Sequence, residues 1–216
     1  MNAFDLPITI SGGSTKRSAL PQRWDCEILV IMKLMFDEVK ATQAAAKLLQ
    51  QAEGSLSYMG LIKLLYRADR EAIRRWGLPI TTDNYVSMKW GPVTSTIYNR
   101  IKASRDASSH PTFWSSHIEF MGKHNVGLKM DPGDSELSIA EEKLLLELFS
   151  VEGNDNQFKL ADKCHREFPE WTDPGNSSTP IELADIVDAL ALSEDEADQM
   201  EKLVSKQKAL FHLTNT

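Results

Sequence analysis

The sequence predicts a mainly α-helical α+β protein: a single compact domain of about six to seven helices, with two to three short strands in a small antiparallel element. Three observations predict it. Long stretches place apolar residues at helical spacing, the segment from Asn84 to Trp90 switches to alternation with period two, and a hydroxyl residue followed three positions later by glutamate recurs in the last third of the chain. At 216 residues, 42% hydrophobic and 25% charged, the chain has the composition of an ordinary globular protein and can bury a sizeable core.

Residues 1–22 lack the basic start and apolar run of a signal peptide and read as an N-terminal arm. Residues 23–53 read as a helix with room for a break between Val39 and Thr42, stopped by Gly54. A second helix runs from Ser57 to Trp76, where Gly77 ends it and Pro79 prevents its continuation. The next segment, NYVSMKW, places Tyr85, Ser87 and Lys89 on one side of a strand and Val86, Met88 and Trp90 on the other. Gly91-Pro92 then opens a helix with proline at its first position, and Val93, Ile97 and Ile101, with Tyr98 beside them, form its buried edge. After a polar loop from Ser104 to His110, segments His117–Met121 and Val126–Met130 predict a hairpin around Gly122–Asn125 that pairs with the Tyr85 strand. Asp131-Pro132-Gly133-Asp134 is a turn. Three capping boxes, Ser138…Glu141, Thr179…Glu182 and Ser193…Glu196, start the later helices, and a shorter helix from Asn156 to Glu167 stops before Pro169. Residues 23–210 form one domain with a candidate internal boundary at 131–136, followed by a tail at 211–216.

Several function classes are disfavoured. The most apolar run, Ile28–Phe36, is broken by Lys33 and is far shorter than the roughly 20 residues a membrane span needs. Cys26 and Cys164 are distant and form no CxxC, which points to a reducing cytoplasm without a disulfide framework or zinc ribbon. GxSxG, HExxH and phosphate-loop motifs are absent, and Cys164 and His165, adjacent on a helix, point about 100° apart. No catalytic, cofactor or metal residue is predicted. Net charge is −7, but residues 60–130 hold 11 Lys and Arg against 5 Asp and Glu, a balance of +6, whereas residues 131–200 hold 4 against 19, a balance of −15. Two electrostatic faces, or two halves that neutralise one another in the fold, both fit this split.

On a helical wheel Asp69 falls inside the apolar arc of the second helix, while Lys63, Arg67, Arg70, Glu71 and Arg74 take the opposite side. A buried carboxylate needs donors. The nearest are the backbone N–H groups of Thr81–Asn84 or those of the helix start after Gly91, so Asp69 is expected to pin the following segment onto its helix. A metal ligand, or a catalytic acid with His165 as its companion, is the weaker alternative. The rigid corner at Gly91 would hold Trp90 and Tyr98 in fixed positions, which a binding surface can use.

In order, K-L-L-Y-x-A-D-R (Lys63–Arg70), P-I-T-x-D-x-Y-V (Pro79–Val86), G-P-V (Gly91–Val93), V-x-L-K (Val126–Lys129), L-S-x-A-E (Leu137–Glu141) and H-x-x-F-P-E-W (His165–Trp171) resemble the SocA-like antitoxin family, the Panacea domain of bacterial and phage toxin–antitoxin systems and mobile elements. The resemblance covers about residues 45–200. It implies a mostly helical fold with a small β element, in which Tyr66, Asp69, Arg70, Gly91, Pro92, Val93, His165, Pro169 and Trp171 form the shared structural motif. It also implies a non-enzymatic role: neutralising a cognate toxin protein by direct contact, in some members as an adaptor that delivers the toxin to a Clp-type protease. Candidate partner-binding residues are Trp90, Tyr98, Glu170, Glu194, Asp195 and Glu196, the acidic ones suiting a toxin with a basic cleft. The alternative is a winged-helix-like nucleic-acid-binding regulator using the basic side of the second helix, which the acidic chain as a whole disfavours.

Overall fold

A computed structural model describes residues 36–106 and 110–190. The N-terminal arm, residues 23–35 of the first expected helix, the Ser193 capping box and the tail lie outside the described residues. Among those described are seven helices and two three-stranded antiparallel sheets, a mixed α+β single domain. The strands thus outnumber the two or three expected.

Helix α1, Glu38–Gln51, begins where Asp37 accepts the Lys40 N–H at 3.0 Å, so the expected 23–53 helix is not continuous through Phe36 and Asp37. Strand β1, Ser55–Ser57, follows directly. Helix α2, Tyr58–Trp76, has the ends its sequence signals: the Ser57 hydroxyl accepts the Gly60 N–H, and Gly77 caps it with φ +83°. This helix lies at the centre. One flank joins α1 and the later helix α5, Ile139–Glu152, in the larger core around Leu48, Leu61, Leu65, Trp114 and Leu145. Another carries Tyr66 and Ile73 into a second cluster with Cys164, Phe168, Ile181 and Ile186. Each fully buried Leu or Ile contributes about 1.5–3 kcal/mol, so a helix buried on two sides anchors the domain. Double coverage also overturns the wheel at Lys63, whose side chain is 1% exposed rather than on a solvated face.

Strands β2, Tyr85–Met88, and β3, Gly91–Thr94, form a hairpin in the register Met88↔Gly91 to Tyr85↔Thr94. Gly91-Pro92 therefore belongs to a strand and does not start a helix; helix α3 begins only at Ser95 and ends at Ala103. Local geometry explains the difference. Lys89 and Trp90 turn the chain without positive φ, and Gly91 takes the left-handed conformation at φ +100° that closes such a turn. Pro92 is tolerated because β3 is an edge strand, the sheet order being β3-β2 and then the late strand at Thr179–Ile181. Strand β6 is Thr179–Ile181, so the anticipated Thr179 capping box is instead a short strand pairing with β2. Helix α7, Leu183–Leu190, starts after it, with Asp185 accepting the Glu182 N–H at 2.8 Å.

The hairpin expected around Gly122–Asn125 exists as β4, Ile118–Phe120, and β5, Asn125–Leu128, preceded by the short helix α4, Phe113–His117. Its partner is β1, in the order β1-β5-β4, and not the Tyr85 strand. The Asp131 turn forms, with the Asp131 carboxylate accepting the Gly133 N–H at 2.9 Å. Ser138 and Glu141 complete the capping box of α5. Helix α6, Gln157–Glu167, is capped by Asn156 and stops short of Pro169.

Candidate functional site

The β2–β3 hairpin is held by buried polar groups, beginning with Asp69, which is 1% exposed. Its carboxylate accepts the N–H groups of Ile80 at 2.9 Å and Thr81 at 2.8 Å, the Tyr85 hydroxyl at 3.0 Å, and the Thr81 hydroxyl. The loop after α2 is thereby fastened to the helix it leaves. Burial pushes the Asp69 carboxyl up to about 7, against the opposing pull of these donors. Asp69 does not reach the helix start after Gly91. Asp83 does so instead, accepting the N–H groups of Thr96 at 2.8 Å and Ile97 at 2.9 Å in the first turn of α3. Burial raises its carboxyl also. The sequence marked Asp83 only as a member of the Pro79–Val86 motif and not by role, because its partners lie 13 and 14 positions on.

Lys63 reaches the far strand of the hairpin, donating to the Pro92 carbonyl at 2.6 Å, and burial lowers its ammonium to about 8. A Cβ on Gly91 would lie 3.0 Å from Lys63 Nζ and 3.3 Å from the Cys164 Cβ, so glycine there satisfies both the backbone conformation and the close approach. Val93 is buried beside it, at 8% exposure. Opposite, Tyr66 donates to Glu170 at 2.9 Å and Arg70 Nε donates to the same oxygen at 2.8 Å. The Glu170 side chain is 0% exposed, so this candidate contact residue faces inward. The Arg70 guanidinium also lies 4.7 Å from the Phe168 ring centroid.

From the third side, Trp171 Nε1 donates to the Met88 carbonyl at 2.9 Å, while His165 stacks on the Trp171 ring with centroids 4.0 Å apart. Burial and the nearby Lys63 lower the His165 imidazole. Pro169, exposed, makes the turn between α6 and Trp171. His165 and Asp69 have separate partners, which gives the catalytic alternative no geometric support. Among the described residues no group of three or more His, Cys, Asp or Glu is placed to hold a metal ion, and no helix is long and apolar enough to cross a membrane.

At the hairpin tip the exposed groups include two aromatic rings. Trp90, at the hairpin tip, is 48% exposed and packs edge-on against Phe158 of α6, itself 55% exposed. Tyr98 lies elsewhere, stacked on Tyr58 at 6.2 Å under the Lys102 ammonium. The sequence reading missed Phe158, which follows the Asn156 cap and carries no local signal of exposure. Glu194, Asp195 and Glu196 lie outside the described residues. The basic side of α2 is largely spent in ion pairs: Arg67 with Glu152 and Glu167, Arg70 with Glu170, and Arg75 with Glu71 and Glu147. Lys40–Glu141, Lys47–Glu142 and Lys163–Asp155 neutralise further acids of the last third.

No curated protein and no solved structure matches the chain. A family model described as "Antitoxin SocA-like, Panacea domain" matches residues 61–172, just over half of the 216 residues and the span that contains every element of the clasp from Lys63 to Trp171. The chain belongs to the SocA-like antitoxin family, as a Panacea domain.

Proposed function

We propose that this protein is an antitoxin that neutralises a cognate protein toxin by direct, non-catalytic contact in the cytoplasm. Membership of the SocA-like family carries the reading. The geometry is in keeping with it, because Asp69, Asp83, Lys63 and Glu170 near the hairpin are each bonded to the backbone or to a neighbouring side chain and so give the hairpin a fixed shape. Contact through the Trp90–Phe158 ridge fits the enrichment of tryptophan at interface hot spots, and the clasp fixes the hairpin beforehand, which lowers the ordering cost of binding. Acidic mimicry of a nucleic acid has less support than the sequence suggested, since many acids of the last third are paired internally. Delivery of the toxin to a Clp-type protease is the finer variant. The test is co-expression with the neighbouring open reading frame: a small gene toxic alone and harmless with this chain, its product retained on the tagged chain. A neighbour that is not toxic, or a toxin that this chain neither rescues nor binds, contradicts the proposal.

A further inference from the structure

Two donors hold the β2–β3 hairpin near its tip, one for each strand. Trp171 Nε1 donates to the Met88 carbonyl of β2 at 2.9 Å, and Lys63 Nζ donates to the Pro92 carbonyl of β3 at 2.6 Å. A longer contact, from the Thr172 N–H to the Ser87 hydroxyl at 3.3 Å, supports the first. His165 lies against both donors. Its ring backs the Trp171 indole, with centroids 4.0 Å apart and planes 14° from parallel. A Cβ at Gly91 would touch both Lys63 Nζ and the Cβ of Cys164, which sets the ammonium beside the residue preceding His165. The His165 Nε2 is shielded from solvent and has no hydrogen-bond partner among the described residues.

Charging this ring is unfavourable while the tip is closed. An imidazolium carries a proton on both nitrogens, so Nε2 becomes a donor without an acceptor, near a second cation. The charged and titratable groups around it come from three elements. Lys63 is the one from α2, Arg67 being engaged by Glu152 and Glu167. Helix α6 brings Asp162 and Cys164, whose thiol burial keeps neutral, and the segment after Trp171 brings Asp173. Lys89 of the hairpin lies over the Trp90 ring instead. The two aspartates favour the imidazolium, but burial and Lys63 oppose it and prevail, holding the imidazole below its ordinary 6.5. The base of the hairpin responds in the opposite sense. Asp69 and Asp83, their carboxyls raised by burial, hold protons better folded than unfolded, so acid favours the base while it disfavours the tip.

We propose that His165 makes the hairpin tip an acid-released latch: the neutral ring keeps Trp171 on the Met88 carbonyl, and protonation frees the tip, Trp90 included, while the base stays folded. The device goes beyond the antitoxin reading and is measured on the chain alone, so the two fail separately.

The test is amide hydrogen exchange of the full chain between about pH 7.5 and about 5.5, corrected for intrinsic rates, together with NMR titration of the His165 imidazole. The latch is at full strength above 6.5 and weakens as pH falls from there through the lower folded value. Protection of the amides from Ser87 to Val93 is expected to drop severalfold, the limit being about tenfold for such a group over that range. Protection in α2 is expected to hold or rise, following Asp69. His165→Phe keeps a ring on Trp171 but takes no proton, and its hairpin protection should stay level. Should that variant fail to fold, the wild-type imidazole and the hairpin protection must still share a midpoint below 6.5. An imidazole midpoint at or above 6.5, hairpin protection that does not drop in acid, a drop that persists in His165→Phe, or a drop shared equally by α2 would each overturn the proposal.

Discussion

The two ends of the β2–β3 hairpin treat their side chains in opposite ways. At the base, charged and hydroxyl groups are buried: Asp69, Asp83, Tyr85 and Lys63 are all below 9% exposed. At the tip, Trp90 and Phe158 are about half exposed. Folding alone favours the reverse, since burying a carboxylate costs several kcal/mol unless it is bonded and exposing an indole forgoes part of a large apolar gain. The base is affordable because Asp69 meets four donors and Asp83 meets the first turn of α3. Nothing comparable compensates the tip within the described fold. The contrast teaches that polar residues in an unusual place mark the scaffold here, while the apolar residues in an unusual place, Trp90 and Phe158, form the surface we propose for a partner.

Breaking the base should give the largest effect. Asp69→Ala leaves two N–H groups and two hydroxyls without their acceptor, and we expect a loss of about 3–5 kcal/mol in urea unfolding. A change near zero would show that water satisfies the site as well as the carboxylate does. Acidity sharpens the same point. With the folded carboxyl raised to about 7 from an ordinary 3.8, the folded state holds its proton longer than the unfolded chain. This residue's contribution to stability is therefore greatest at low pH, falls as pH rises from about 4 to 7, and is level above that. Unfolding midpoints between pH 5 and 7 should decline less steeply in Asp69→Asn than in the wild type.

Between base and tip stands Gly91. Gly91→Ala must place a Cβ beside Lys63 and Cys164 at φ +100°, and a loss of about 1–3 kcal/mol is expected in the same assay. Tyr66→Phe, which removes one of the donors to Glu170 and leaves Arg70 in place, should cost about 1 kcal/mol. The smallest stability effect belongs to the tip. Trp90→Ala should fall within about 0.5 kcal/mol of the wild type while weakening retention of the toxin. A Trp90→Ala variant that unfolds easily would make the tip part of the scaffold and erase the contrast.

Legibility in the sequence followed how local each cause was. The ends of α2 at Ser57 and Gly77, the Ser138–Glu141 box and the limits of α6 near Asn156 and Glu167 depend on residues a few positions apart, and all were readable. Asp69 was readable as a clasp because the wheel places a charge among leucines and its partners begin 11 residues on. Pro92 was misread because proline suits both a first helical turn and an edge strand, and only the pairing with β2 decides. The Thr179 segment failed likewise, its strand existing only through contact with Tyr85–Ser87. Lys63 and Glu170 were assigned to the surface because burial from a second side, by β3 and by the 165–172 segment, cannot be seen on one helix or in one loop.

Neutralisation of a toxin by direct contact is the role we propose for this Panacea domain. Its most direct measurement is growth on inducing the neighbouring small gene with wild-type, Trp90→Ala or no antitoxin, alongside the amount of toxin retained on the tagged chain. Full rescue and retention by the wild type are expected, with both reduced for a Trp90→Ala protein that is as abundant and as stable. Rescue by the wild type without any toxin retained would contradict neutralisation by direct contact.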